Sequence, residues 1–217
     1  MTATTAAPRR GALERLGLHR PELRAWALYD WANSAMATVI VAAVFPIYYY
    51  KVAGAGLPPG EATRRYAICT AAALATIALL GPFLGTLADV SGAKKKLLAA
   101  FMTVGASCVA AMFWVGPGDW LLASVLLVGA TIGAAGSSVF YDSLLPHVAR
   151  DDEMDRVSTS GYALGYLGGG LLLALNLAWI TKPAWFGLPA GPDLSESARK
   201  TYALPTFSPR ICRTTQC

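Results

Sequence analysis

The chain has 217 residues, 55% of them hydrophobic and only 14% charged, with a mean hydropathy of +0.45. A soluble domain carries about 25% charged residues, so a water-soluble enzyme is excluded, and the apolar content excludes disorder. The net charge of +5 comes from Lys and Arg placed between long apolar stretches, where they act as topology signals and not as a nucleic-acid footprint.

A membrane span takes roughly 20 mostly apolar residues. Residues 1–25 form a basic N-terminal segment, followed by a transmembrane bundle over 26–181 with spans at about 26–50, 67–88, 97–115, 120–145 and 157–180. Residues 182–217 form a polar tail broken by Pro183, Pro189, Pro192, Pro205 and Pro209. Arg9, Arg10, Arg15, Arg20 and Arg24, then Lys94 to Lys96, Arg150 and Arg156, fall on one side of the membrane. Lys51, Arg64 and Arg65 fall on the other, joined by the basic residues of the tail. The bias of the early loops predicts a cytoplasmic N-terminus.

On a helix, Asp30, Asn33, Ser34, Ala37, Thr38 and Val41 of the first span share one face. That stripe is too polar for lipid and is expected to face other helices or a watery cavity. Asp30 has two readings: an intramembrane carboxylate that couples transport to protons, or a first-turn acid held by the helix N-terminus at headgroup level.

Between the second and third spans runs Gly85-Thr-Leu-Ala-Asp89-Val-Ser-Gly92-Ala-Lys94-Lys95-Lys96-Leu97. Gly85, Leu87, Asp89, Gly92, Lys94 and Leu97 resemble, in order and place, the signature loop of the major facilitator superfamily. Val90 and Ala93 stand where that pattern usually has basic residues. The resemblance implies that Gly85, Asp89, Gly92 and Lys94 gate the conformational cycle.

In the fourth span Gly129, Gly133 and Ser137 recur every four residues, followed by Tyr141 and Asp142. In the fifth, Gly161, Gly165 and Gly169 do the same. Such faces let helices approach closely, so the glycines are expected to be packing residues. Gly161 to Gly170 also resembles a glycine motif of antiporters in the superfamily, with Tyr166 in place of its proline. Pro146 is expected to end the fourth helix, leaving His147 in a loop. The acids Asp151, Asp152, Glu153 and Asp155 form a solvated loop or a latch for basic groups on a facing domain.

Cys69 and Cys108 lie in apolar stretches, and Cys212 and Cys217 lack metal-ligand spacing. His19 and His147 lie outside the spans. The chain has neither His-Glu-x-x-His nor Gly-x-x-x-x-Gly-Lys-Ser/Thr. No metal, cofactor, direct ATP drive or enzyme chemistry is expected.

Ala-Leu-Tyr-Asp30-Trp31-Ala-Asn33-Ser34, Phe45-Pro46-Ile47-Tyr48, the Asp89 loop, Tyr141 to Pro146 and Gly161 to Asn176 together resemble the vacuole-effluxer-like branch of the major facilitator superfamily. This branch is related to autophagy-linked fungal exporters of vacuolar amino acids. The resemblance spans about residues 24–181, with Asp142-Ser143 where the branch tends to have an amide and a small residue. It implies an all-α integral membrane fold, five helices of a six-helix N-terminal half, and a missing C-terminal six-helix half. It also implies a secondary transporter of small polar solutes such as amino acids, with protons as a candidate coupling ion. Asp30, Asn33, Ser34, Tyr141 and Asp142 would line its cavity. A prokaryotic inner membrane is the expected location. The tail from about residue 206 resembles no sixth helix and is expected to be aberrant, so the chain alone would insert without transporting. A non-transporting partner subunit is the alternative.

Overall fold

The computed structural model describes residues 11–186. After a short helix α1 (Ala12–Arg15) come five helices long and apolar enough to cross a membrane. They are α2 (Pro21–Ala53), α3 (Glu61–Ser91), α4 (Lys94–Ala111), α5 (Trp120–Val148) and α6 (Met154–Thr181). A 3₁₀ turn, Met112–Trp114, extends α4, and another, Pro183–Phe186, follows α6. Arg9, Arg10 and the tail from residue 187, including Pro189 to Pro209 and the segment expected to be aberrant, lie outside the described residues.

Each helix is longer than its apolar stretch predicts. Proline at the first helical position has no amide to leave unbonded, so α2 starts at Pro21, ahead of the expected Trp26. Asp30 therefore lies more than two turns inside α2. The helix-terminus effect fades beyond the first turn, so the first-turn reading of Asp30 is overturned. α2 also widens twice into π-helix, at Ala37–Ala43 and Tyr49–Ala53, on either side of Pro46. Pro146 does not end α5. The Ala149 amide donates to the Leu145 carbonyl at 2.9 Å and closes a turn beyond the proline, so His147 is helical. α3 stops at Gly92, whose φ of +62° suits a residue without Cβ.

Three pairings organise the bundle: α4 along α5, α2 along α6, and α3 along α5. Glycines set the first two. A Cβ on Gly133 would land on the Gly105 backbone and 2.8 Å from the Phe101 carbonyl, while one on Gly129 would sit 2.5 Å from Cys108 Sγ. On α6, Gly161 accommodates the Trp26 ring and Gly168 the Trp31 ring. α3 instead exposes Leu79, Phe83 and Val90, the surface lipid would cover.

The buried side chains form two clusters. One, toward the Trp120 end, gathers Val44, Phe45, Tyr48, Tyr49, Tyr66, Met112 and Leu127. The other, toward the Lys94 end, gathers Leu18, Leu23, Trp26, Tyr141 and Val157.

Candidate functional site

The polar stripe of α2 divides between two neighbours. Asp30, Ser34 and Thr38 follow one another every four residues and lie against the glycines of α6. A methyl group on Gly165 would stand 2.6 Å from both Asp30 Oδ2 and Ser34 Oγ, and one on Gly169 would stand 2.7 Å from Thr38 Oγ1. Asn33 points the other way, and its amide nitrogen donates to Ser138 Oγ on α5 at 3.1 Å. The expected single face is thus split. Val41 leaves it, because the π turn adds a residue per loop and shifts the downstream register.

Between α2, α4 and α5 lies a cavity of about 510 Å³ lined by Tyr29, Asn33, Met36, Met102, Gly105 and Ser137. Its volume falls in the range of about 300–1,000 Å³ typical of small-molecule sites, and it has their character, apolar walls carrying a few polar groups. Tyr141 closes its Lys94 side indirectly. Its ring stacks on Tyr29 at 4.6 Å and on Trp26 at 4.4 Å, and the Trp26 indole N–H donates to the Tyr141 carbonyl at 3.3 Å. The sequence reading named Tyr141 but missed Trp26, Tyr29, Ser137 and Ser138. Their aromatic and hydroxyl character is visible in the sequence, but the helix pairing that gathers them is not. Asp142, the next residue, is exposed.

At the Lys94 end the connection between α3 and α4 is only Gly92-Ala93. Lys94 Nζ pairs with Asp89 Oδ1 at 2.6 Å and reaches the Ser143 carbonyl on α5 at 3.4 Å. Lys94 is largely covered while Asp89 stays 64% exposed. Gly85 lies within α3, with open space where a Cβ would be.

The acidic turn between α5 and α6 is only partly solvated. The Glu153 side chain, 8% exposed, accepts the Arg150 backbone N–H at 3.1 Å, pairs with Arg20 and lies 3.6 Å from His19 Nε2. Arg20 also donates to the Val148 carbonyl at 2.8 Å, and Ser160 Oγ donates to the Leu16 carbonyl at 2.6 Å. The partner of the acids is the chain's own N-terminal segment, which straps α5 to α6. Sequence spacing gave no hint of a pairing across more than a hundred residues.

The Arg150 amide, then Arg20 and His19, hold the Glu153 carboxyl below its usual range. A depressed folded-state value gives stability that is present above the ordinary carboxylate range and lost as pH falls through the folded value. Glu153→Gln is therefore expected to lower the unfolding temperature at pH 7. The gap from the unchanged protein should close as pH drops below about 4, as differential scanning fluorimetry in detergent would show.

No group of three or more His, Cys, Asp or Glu among the described residues could hold a metal ion.

The family model described as Vacuole effluxer Atg22 like matches residues 61–186. The chain is 36% identical over 156 residues to the Uncharacterized MFS-type transporter YxiO of Bacillus subtilis (strain 168), an alignment covering 71% of this chain and 36% of that relative. The aligned stretch thus spans about a third of the relative's length. No solved structure matches. The chain is an integral multi-pass membrane protein that belongs to the vacuole-effluxer-like family, as the sequence motifs led us to expect.

Proposed function

We propose that the chain forms the N-terminal part of a major-facilitator secondary transporter moving small polar solutes, amino acids among them, by alternating access. The observation that carries this reading is a cavity with polar groups, enclosed by helices of membrane length. Lipid gives no reason to keep Asp30, Asn33 and Ser34 inside a bundle, and such residues mark solute and ion paths. Tyr29, Asn33 and Ser137 offer neutral donors and acceptors suited to an amino acid's polar groups. Asp30 supplies the candidate proton site, and Gly85, Asp89, Gly92 and Lys94 the candidate gate.

The packing supports a six-helix half. Halves of this type contain inverted three-helix repeats, an operation that exchanges the first span with the fourth, the second with the fifth and the third with the sixth. Applied here, it carries the α2–α6 pairing onto the α5–α3 pairing, and both are present. The α4–α5 pairing becomes a sixth helix lying on α2, beside Trp31 and Leu28, which are half exposed. The Lys94 end is cytoplasmic on this reading, in keeping with Lys94 to Lys96 and Arg20 there, and the membrane is a prokaryotic inner membrane. The other half of the carrier is the partner that closes the cavity.

Proteoliposome uptake of a mixture of radiolabelled amino acids under an imposed proton gradient tests this. Gradient-driven uptake is expected when the chain is paired with a C-terminal six-helix half, and none from the chain alone. No uptake in either case would leave the bundle as a packing subunit.

A further inference from the structure

The first span changes partners along its length. Its Lys94-end part lies on α6, with Trp26 on Gly161 and Trp31 on Gly168, and contributes Leu23, Trp26 and Ala27 to one buried cluster. Its Trp120-end part belongs to the other cluster. There the Tyr48 hydroxyl donates to the Val115 carbonyl at 2.7 Å, and the Tyr49 hydroxyl meets Ser124 Oγ on α5 at 2.6 Å. Between the two parts the backbone widens into Ala37–Ala43, and Ala43 leaves the helical region at φ −121°, ψ −63°.

Amide donors run short at this junction. In an α-helical pattern the carbonyls of Ile40, Val41 and Ala42 take the amides of residues 44, 45 and 46. The Val44 amide is already given to Val39, five residues back, and Pro46 has no N–H. Three carbonyls are left facing the amide of Phe45. Tyr66 of α3 supplies a further donor, its hydroxyl 2.6 Å from the Val41 oxygen. Its buried ring is fixed edge-on against Tyr49 at 5.5 Å and Tyr50 at 5.6 Å. Water cannot serve a bare carbonyl within hydrocarbon, so this donor matters more than it would on a soluble helix.

We propose that Ala37–Ala43 is a joint in the first span, and that the Tyr66 hydroxyl is the latch holding it in the shape seen here. Latched, the Trp120-end part of α2 moves with α3 and α5. Released, it pivots about Ala43 while Asp30 and Ser34 stay seated on α6. Wide turns and prolines are the places where helices bend. Tyr66 is thus a positioning residue. The purpose of the motion, opening one side of the cavity, rests on the transporter reading above, whereas the latch is a property of the bundle itself.

Hydrogen–deuterium exchange of the whole chain in phosphatidylethanolamine–phosphatidylglycerol nanodiscs tests the latch. Tyr66→Phe keeps the ring and removes only the donor. It is expected to raise exchange roughly tenfold in peptides covering residues 37–53 and to leave those of α6 unchanged. Pro46→Ala restores the missing amide, so adding Tyr66→Phe to that background should change exchange by less than about twofold. Unchanged exchange in Tyr66→Phe would overturn the proposal. So would an equal rise with and without Pro46→Ala, the mark of a general packing loss. Absence of amino-acid uptake by the paired halves would instead sink the transporter reading and leave the exchange result standing.

Discussion

Gly133→Ala is expected to be the most destabilising single-methyl change in the bundle, by about 2–3 kcal/mol, with sharply reduced recovery of folded protein. Its Cβ would fall on the Gly105 Cα and N and 2.8 Å from the Phe101 carbonyl oxygen, all main-chain atoms of α4. Main chain cannot rotate aside, so α4 and α5 must separate along their whole contact. In lipid, separation forfeits van der Waals packing that no hydrophobic effect replaces. Neighbouring positions supply the control. At Gly129 the obstacle is the Cys108 sulfur, a movable side chain at 2.5 Å, and at Gly105 a methyl group finds main-chain atoms only at 3.3–3.4 Å. Unfolding temperatures in detergent should therefore fall in the order Gly133→Ala, Gly129→Ala, Gly105→Ala, with the first well separated. Equal temperatures for all three would show that the two helices do not approach as closely as described.

The same comparison shows what could be read without coordinates. Glycines every four residues announce that Gly129 and Gly133 face a helix, because small residues recur only where backbones meet. They do not say that the helix is α4 or that the partner residue is Gly105. Hydropathy likewise located all five spans yet shortened α2. Its first turn, Pro21 to Arg24, is polar, and helix continuation there depends on proline geometry and the strap to α6. The π turns were also out of reach. Pro46 is visible in the sequence, but the hydroxyl that makes its missing amide tolerable comes from Tyr66 on another helix. Glu153 illustrates the converse, where four clustered acids suggested solvent and one of them instead had a buried Arg20 waiting for it.

Asp30→Asn is expected to separate structure from coupling. The amide has the shape of the carboxylate and fits the space beside Gly165, where Asp30 Oδ2 and Ser34 Oγ define the approach of α6. The unfolding temperature should accordingly change little. An amide cannot take up and release a proton near neutral pH, so proton-driven accumulation by the paired halves should fall by one to two orders of magnitude, the span of a typical coupling free energy. Exchange of solute for solute, with no net proton movement, should survive. Gly165→Ala is the reciprocal variant: it keeps the carboxylate but presses a methyl group against it and against Ser34, and should depress both driven uptake and exchange. A packing role for Asp30 predicts the opposite signature, a large drop in unfolding temperature with driven uptake and exchange reduced together. A single carboxylate held between two close helices would thereby be shown to serve the assembly of the bundle and not its proton linkage.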